Sequence, residues 1–326
     1  MESKYRLVKV PTDDKWDKFI KTSPSGTIFA SSSYLKTLGV NINSFFCYKK
    51  NELMAAVLCI VSRDGRDIEG HEHVIYDGLI YRDLSYLNKS QRYSEEFKIQ
   101  EYVAVEIYNT YDKVFFKLHP SIVDIRPFLW VNYHSDSSGY KTQLRYTCYV
   151  DISDFSKGKQ LNELELYKNA SSARRQEVRY ANKSGVMTTT TNNIPMFIEL
   201  YKMTFDRQDV RVSNDSLKHM GFLLDSLVRN NSCLMLQSSV KNGEVGSMAV
   251  FTLDGNVAYY LFGANNPSYR NKHTGTAVIW DAFYLLAEIG VSKVDLEGIN
   301  SPRRGWFKTS FGGDVSQYFN VIKSNE

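Results

Sequence analysis

Three extended segments in the second half of the chain are separated by two tight turns, and this pattern leaves little choice of fold. Cys233–Val240, Glu244–Leu253 and Asn256–Ala264 alternate or run apolar, and Lys241-Asn242-Gly243 and Asp254-Gly255 between them are hairpin sequences. Three antiparallel strands with one apolar face need a cover. Gly275–Ile289 is suited to that role: it is apolar nearly all round (Val278, Ile279, Trp280, Phe283, Leu285, Leu286), the composition of a helix buried on several sides. Before the strands, Val186–Thr191 is β-branched and reads as a strand. Asn193 and Pro195 then open a helix with Met196, Leu200 and Met203 on one face, and Asp215 opens another with Leu217, Met220, Leu224 and Leu227 on one face. After the apolar helix come a strand at Val291–Leu296, a short helix carrying Trp306 and a last strand at Gln317–Ile322. The order is strand, two helices, three antiparallel strands, helix, strand, helix, strand.

The first half runs through nearly the same order. Tyr5–Val10 reads as a strand, Asp13-Asp14 and Ser31–Ser33 each cap a short helix, and Phe45–Lys49 with Leu53–Val61 forms a hairpin. Val74–Ile80 is a further strand, Tyr93–Tyr108 a helix, Lys113–Leu118 a strand, Pro120–Pro127 a turn or short helix, and Arg145–Val150 a strand. Asp151–Gly158 is polar and without period, so the expected division is residues 1–155 and residues 156–326, with Glu163–Ala181 a helix ending at Gly185. A length of 326 residues suits two such domains. The fold class expected is α/β (α+β): two tandem units, each a mixed, mainly antiparallel central sheet flanked by helices.

Composition excludes several function classes. The net charge of +4, with no run of five like charges, could favour an anionic ligand but is too small to argue for nucleic acid on its own. The four cysteines (Cys47, Cys59, Cys148, Cys233) lie far apart and form no CxxC pair, as expected of reduced thiols in a soluble cytoplasmic protein. The N-terminus MESKYRLVKV has no signal-type apolar segment, and the longest apolar run, Leu53–Val61, is too short to span a bilayer. His71 and His73 have no accompanying third ligand, so no metal site is expected.

Two stretches carry the chemistry. The first is the basic, glycine-containing loop Arg270-Asn271-Lys272-His273-Thr274-Gly275-Thr276-Ala277, which runs into the apolar helix. Free backbone N–H groups at a helix N-terminus, flanked by Arg and Lys, suit a pyrophosphate. A solvated loop that merely caps a core helix would look the same. The second is Lys293–Gly313, KVDLEGINSPRRGWFKTSFGG, with Asp295 and Glu297 expected on one side of a strand and Glu297 at its carboxyl end before Gly298.

With that loop between the third hairpin strand and the buried helix, the element order resembles the GNAT acyltransferase fold. Asp295-Leu296-Glu297-Gly298 with Trp306-Phe307-Lys308-x-x-Phe311-Gly312 is similar to the C-terminal signature of the FemABX-like branch of that superfamily. Ala173-Arg174-Arg175-Gln176 with Lys183-Ser184-Gly185-Val186 resembles that branch's entry into its second domain. Asp124-Ile125-Arg126-Pro127-Phe128-Leu129-Trp130 with Tyr140-Lys141-Thr142 resembles the end of its first. The resemblance covers nearly the whole chain and implies two tandem GNAT-like domains, an acceptor side in the first and acyl-CoA binding with catalysis in the second. Within the branch, nucleotide-sugar N-acyltransferases of the FdhC type look nearer than the Fem peptidyltransferases, because no long heptad arm interrupts the chain and no basic stripe is present.

The resemblance implies an acyl group moved from acyl-CoA to the amine of a nucleotide-linked amino sugar, with dTDP-3-amino-3,6-dideoxyhexose as best guess, for O-antigen or other lipopolysaccharide synthesis. Coenzyme A would lie along Arg270, Lys272, His273, Thr274, Gly275, Thr276 and Ala277. Transfer to an amine needs a base, and Glu297 is the first candidate; the alternative is that Glu297 pairs with Arg303, Arg304 or Lys308 and only orders the turn. His119, after the strand end Leu118, is a second candidate base. The tyrosine that the GNAT fold often uses to protonate the leaving thiol is absent from Ile299–Phe311, which leaves Tyr269, Tyr284 or water. Lys308, Arg303, Arg304 and Asn300 are candidates for the acceptor, as are Arg126, Trp130 and Tyr133 in the first domain. The competing expectations are a Fem-type aminoacyl-tRNA-dependent peptidyltransferase of peptidoglycan synthesis and a non-catalytic ligand-binding protein on the same scaffold.

Overall fold

In the computed structural model, residues 4–135, 137–155, 159–206 and 212–324 are described. The chain divides into two units: Met1–Arg145 with Gln317–Glu326, and Tyr146–Ser316. The expected cut after residue 155 differs from this division. The strand β6 (Lys141–Asp151) runs on through the polar segment's start, and β12 (Asp314–Lys323) returns the chain to the first unit. Residues 156–158, within the expected linker, lie outside the described residues.

The first unit begins with β1 (Tyr5–Val10), α1 (Asp14–Thr22), α2 (Ser32–Leu38), β2 (Ile42–Lys49), β3 (Glu52–Ile60) and β4 (Gly78–Tyr81). The four strands pair in that order, all antiparallel. Asp13 caps α1 by accepting from the amides of Lys15 and Trp16, and Ser31 caps α2. The helix α3 (Lys89–Thr110) opens on a capping box made by Asn88 and Gln91. It buries Ile99, Val103 and Ile107 in a core with Val57, Cys59 and Phe116. Then follow β5 (Val114–Lys117) and α4 (Arg126–Leu129). β5 pairs antiparallel with β12, Lys117 facing Asn320. The strand expected over Val74–Ile80 begins only at Gly78 (φ +80°). The preceding segment bonds β5 instead: Phe115 N donates to Ile68 O, and Asp77 N to Lys117 O.

The second unit contains α5 (Glu165–Asn169), α6 (Ser172–Lys183), β7 (Met187–Thr190), α7 (Ile194–Asp206), α8 (Asn214–Arg229), β8 (Cys233–Ser239), β9 (Val245–Asp254) and β10 (Val257–Asn265). It continues with α9 (Thr274–Glu288), β11 (Lys293–Asp295) and α10 (Pro302–Thr309). Its strands run in the order β6-β11-β10-β9-β8-β7. All pair antiparallel except β10 with β11, which is parallel. The single helix expected over Glu163–Ala181 is two helices, parted at Ala170–Ser171. Ser171 donates its amide to Ser310 O and caps α6 with its hydroxyl.

The helix α9 lies in the core of this unit, as its apolar circumference requires. Trp280, 1% exposed, is ringed by Tyr167, Phe283, Phe311 and Phe155 at 5.7–6.2 Å between centroids. Burial of that size fixes the helix, since truncating a buried Trp costs about 3–5 kcal/mol. The N-terminus of α9 is therefore held rigidly against the strands. No described helix is long and apolar enough to cross a membrane.

Candidate functional site in the second unit

The parallel pairing of β10 with β11 lasts only from Val257–Lys293 to Tyr259–Asp295. Beyond it β10 bulges between Tyr260 and Phe262 and runs on to Asn265 beside β9. The chain after Asp295 stays with β6 instead: Leu296 N donates to Cys148 O at 2.8 Å, and both ends of the Asn300 carboxamide bond the backbone of Tyr146. One edge of β10 is thus left without a strand partner from Tyr260 onward, and a gap opens between it and residues 296–300.

Lys308 of α10 reaches into this gap. Its Nζ donates to the carbonyl of Glu297 at 3.2 Å and lies 5.2 Å from the centre of the Tyr260 ring. Desolvation lowers the pKa of this ammonium, opposed by the nearby carboxylates of Glu297 and Asp295. Burial raises that of the Tyr260 phenol, keeping it neutral.

Glu297 does not lie on the strand. β11 ends at Asp295, and Glu297 has φ +55°, a left-handed conformation that costs a non-glycine residue about 1–2 kcal/mol. Local bonds offset that cost. The fully buried Asp295 carboxylate accepts the Glu297 amide at 2.8 Å and the Thr147 hydroxyl, while Lys308 holds the Glu297 carbonyl. The reading that Asp295 and Glu297 share one side of a strand is corrected by this turn. Glu297 is 6% exposed, inside the unit rather than at a mouth.

At the other end of the gap stands the first turn of α9. His273 (φ +58°) precedes the helix, and its carbonyl takes the amides of Thr276 and Ala277. The amides of Thr274 and Gly275 have no acceptor among the described residues, the usual state of a helix N-terminus. The two threonine side chains are buried and engaged within the fold. Thr274 bonds Ser247 at 2.7 Å, and Ser247 in turn donates to Asn265. Thr276 donates to Glu177 at 2.5 Å and accepts from Arg174. Arg174 pairs with Glu177 and lies over the rings of Phe307 (4.7 Å) and Phe311 (5.6 Å). One cluster therefore links α6, the start of α9, and α10 with its Lys308. Arg270 and Lys272 are exposed and form no ion pair among the described residues. Two free amides with two unpaired cations beside them fit a pyrophosphate.

The remaining candidates lie elsewhere. Tyr269 donates to Glu244 at the turn between β8 and β9, which raises its own pKa. Tyr284 packs edge-on to Phe155 at 5.0 Å. Arg303 and Arg304 are exposed, the latter donating to Ser301. Four candidates belong to the first unit. The His119 ring bonds Ser121 at 2.8 Å, and Arg126 forks onto Asp124 at 2.6 and 2.8 Å. Trp130 is 48% exposed and lies under Arg126; Tyr133 is 69% exposed. Sequence reasoning missed Glu177, Ser247, Asn265 and Tyr260. Only the Arg174–Glu177 spacing, three apart on a helix, carried a signal. No group of three or more His, Cys, Asp or Glu side chains among the described residues is placed to hold a metal ion.

Residues 168–306 match the model of a protein family described as acetyltransferase (GNAT) domain. No curated protein matches the chain. Among solved structures, the fold is similar to that of FemX, with a TM-score of 0.65 at 14% identity over 96% of each chain. A tandem GNAT protein from the clavulanic acid biosynthesis pathway gives 0.54 at 8% identity over 99% of each. The C-terminal domain of a putative lysylphosphatidylglycerol synthetase from Agrobacterium fabrum gives 0.54 at 10% identity, covering 95% of this chain and 92% of that one. The chain has a GNAT/Fem-like fold of two tandem units, each with sheets flanked by helices, and the matched domain supports an acyltransferase.

Proposed function

We propose that the second unit transfers an acyl group from acyl-CoA to an amine. The observation that carries this reading is the pair of acceptor-free amides at Thr274 and Gly275, fixed beside Arg270 and Lys272 at one end of the gap that holds Lys308 and Glu297. The CoA pyrophosphate binds the amides and the two cations, which directs the thioester along the open edge of β10. The acceptor nitrogen attacks the thioester carbon, a C–N bond forms and the C–S bond breaks. The amine gives up one proton and the thiolate takes one up. Glu297 is the group we assign to accept the amine proton, and Lys308 the group that holds the acceptor.

For the acceptor we propose a nucleotide-linked amino sugar, with dTDP-3-amino-3,6-dideoxyhexose as the first compound to try, in the cytoplasm. A second reading has a specific observation in its favour: the whole-chain similarity to FemX makes an aminoacyl-tRNA donor and a peptidoglycan-precursor acceptor equally fair to test. Mass spectrometry after incubation with acetyl-CoA and the amino sugar decides the first. A product heavier by one acetyl group supports it; none with any acyl-CoA, together with a gel shift on aminoacyl-tRNA, moves the assignment to the second. Glu297→Gln is expected to lower turnover about 100-fold or more while leaving the melting temperature within a few degrees. Wild-type turnover in the folded variant removes Glu297 as the base.

A further inference from the structure

The first unit has an open cavity of about 290 Å³ that the acyl-transfer reading does not use. Its floor is one face of the strands β5, β12 and β6, and residues 69–72 form a wall. Phe115 and Lys117 are two apart on β5, as are Tyr318 and Asn320 on β12, so each pair faces the same side. Asn320 lies directly opposite Lys117 in the register. Arg145 of β6 completes the face.

Two of these residues each carry a buried polar atom without a partner among the described residues. Asn320 is 5% exposed; its Nδ2 donates to Gln143, while its Oδ1 accepts nothing among the described residues. Arg145 has a buried Nε with no acceptor, and its guanidinium makes no ion pair or hydrogen bond among the described residues. It differs in this from Lys117. The Lys117 ammonium donates to the carbonyls of His71 and Val74 and interacts with the buried Asp77. Buried polar groups are normally paired, so an unpaired cation beside an unpaired carbonyl at a cavity asks for a complementary partner. The cation asks for an oxyanion. The Asn320 carbonyl and the carboxylate of Glu69 at the wall ask for hydrogen-bond donors, and the faces of Phe115 and Tyr318 offer an apolar platform.

We propose that this cavity is a second binding site, for a small ligand with an oxyanion head, phosphate or carboxylate, on a hydroxyl-bearing body. The head binds Arg145, and hydroxyls meet Asn320 and Glu69. The site stands on the first unit alone, and its fate is independent of whether the second unit transfers acyl groups.

The test uses the full chain and three probes that share one body: glucose 1-phosphate, glucuronate and glucose. Amide shifts in ¹H–¹⁵N spectra locate binding, and calorimetry measures it. Saturable binding of glucose 1-phosphate or glucuronate, with shifts at residues 69–72, 117, 145 and 318–320, is expected, and the two arms tell phosphate from carboxylate. Arg145→Met should weaken it about tenfold or more. Asn320→Asp, which keeps the shape and adds a like charge to the head, should do the same and serves if Arg145→Met fails to fold. The proposal is overturned by absence of saturable binding, by glucose binding as well as its charged counterparts, by shifts confined to residues 270–277, or by both folded variants binding within twofold of wild type.

Discussion

Removing the Glu177 carboxylate should destabilise the second unit far more than a surface ion pair would. Arg174 and Glu177 side chains are 13% and 25% exposed, and the guanidinium forks onto both carboxylate oxygens at 2.5 and 3.3 Å. Two aromatic rings cover the guanidinium, and burial already lowers its pKa against the opposing charge of Glu177. Breaking a fully buried pair costs about 3–5 kcal/mol and an exposed one 0–1 kcal/mol. A pair mostly but not wholly buried lies between, so Glu177→Ala should cost about 2–3 kcal/mol. Arg174→Met keeps an apolar stem on Phe307 and Phe311 and leaves a carboxylate that water can reach, so about 1–2 kcal/mol is expected. The double variant should lose about 1–2 kcal/mol less than the sum, because the second change removes a group the first had already stranded. Urea unfolding of the four proteins measures the cycle. Additivity within 0.5 kcal/mol would refute the claim that the two charges depend on each other. Because Glu177 also holds Thr276 in the first turn of α9, both single variants should raise the KM for acetyl-CoA and leave kcat nearly unchanged.

Gly246→Ala would put a methyl 2.6 Å from the Thr274 side chain, so it should cost about 1–3 kcal/mol by overpacking and weaken acetyl-CoA binding measured by calorimetry. In the first unit, burial raises the Asp77 carboxyl to about 6 from its ordinary 3.8. The folded state then holds the proton more tightly than the unfolded state, so this contribution is present in full below pH 3.8 and is lost as pH rises through 6. The shift corresponds to about 3 kcal/mol. Asp77→Asn should remove that slope, and the stability difference between variant and wild type should shift by up to about 3 kcal/mol in the variant's favour between pH 4 and pH 7.5. Parallel pH profiles in denaturant titrations would contradict the assignment.

The elements that were legible in the sequence are those whose cause is local. Asn-Gly and Asp-Gly turns fix the β8-β9-β10 meander, and an apolar circumference fixes α9. Asp13 and Ser31 cap their helices with their own side chains, whereas the Asn88 cap, which starts α3 at Lys89 rather than at the expected Tyr93, was missed. What was hidden has a distant cause. The break between α5 and α6 is made by the turn after α10: Gly312 (φ +93°) lies so close that a Cβ would stand 2.8 Å from Ala170 N, and Ser171 bonds Ser310. The local sign of it is Ser171, the cap of α6. Glu297 was singled out by its position before Gly298, but its left-handed backbone depends on the Asp295 carboxylate turning back and on Lys308 from a helix still to come. Tyr260 went unnoticed because a tyrosine in a strand looks like ordinary sheet packing until the bulge and the loss of β11 leave its edge open.

The path of β12 has a consequence for biosynthesis. In the first unit β5 ends at Lys117, and its antiparallel partner begins with the segment from Gln317, about 200 positions later. At a synthesis rate of about 5–20 residues/s, the ribosome needs about 10–40 s to supply it. Throughout that interval one edge of β5 stays open, a template for pairing with other chains. The second unit, an uninterrupted stretch from Tyr146 to Ser316, is complete before the first. Of the two units, the one that begins earlier along the chain is therefore completed later.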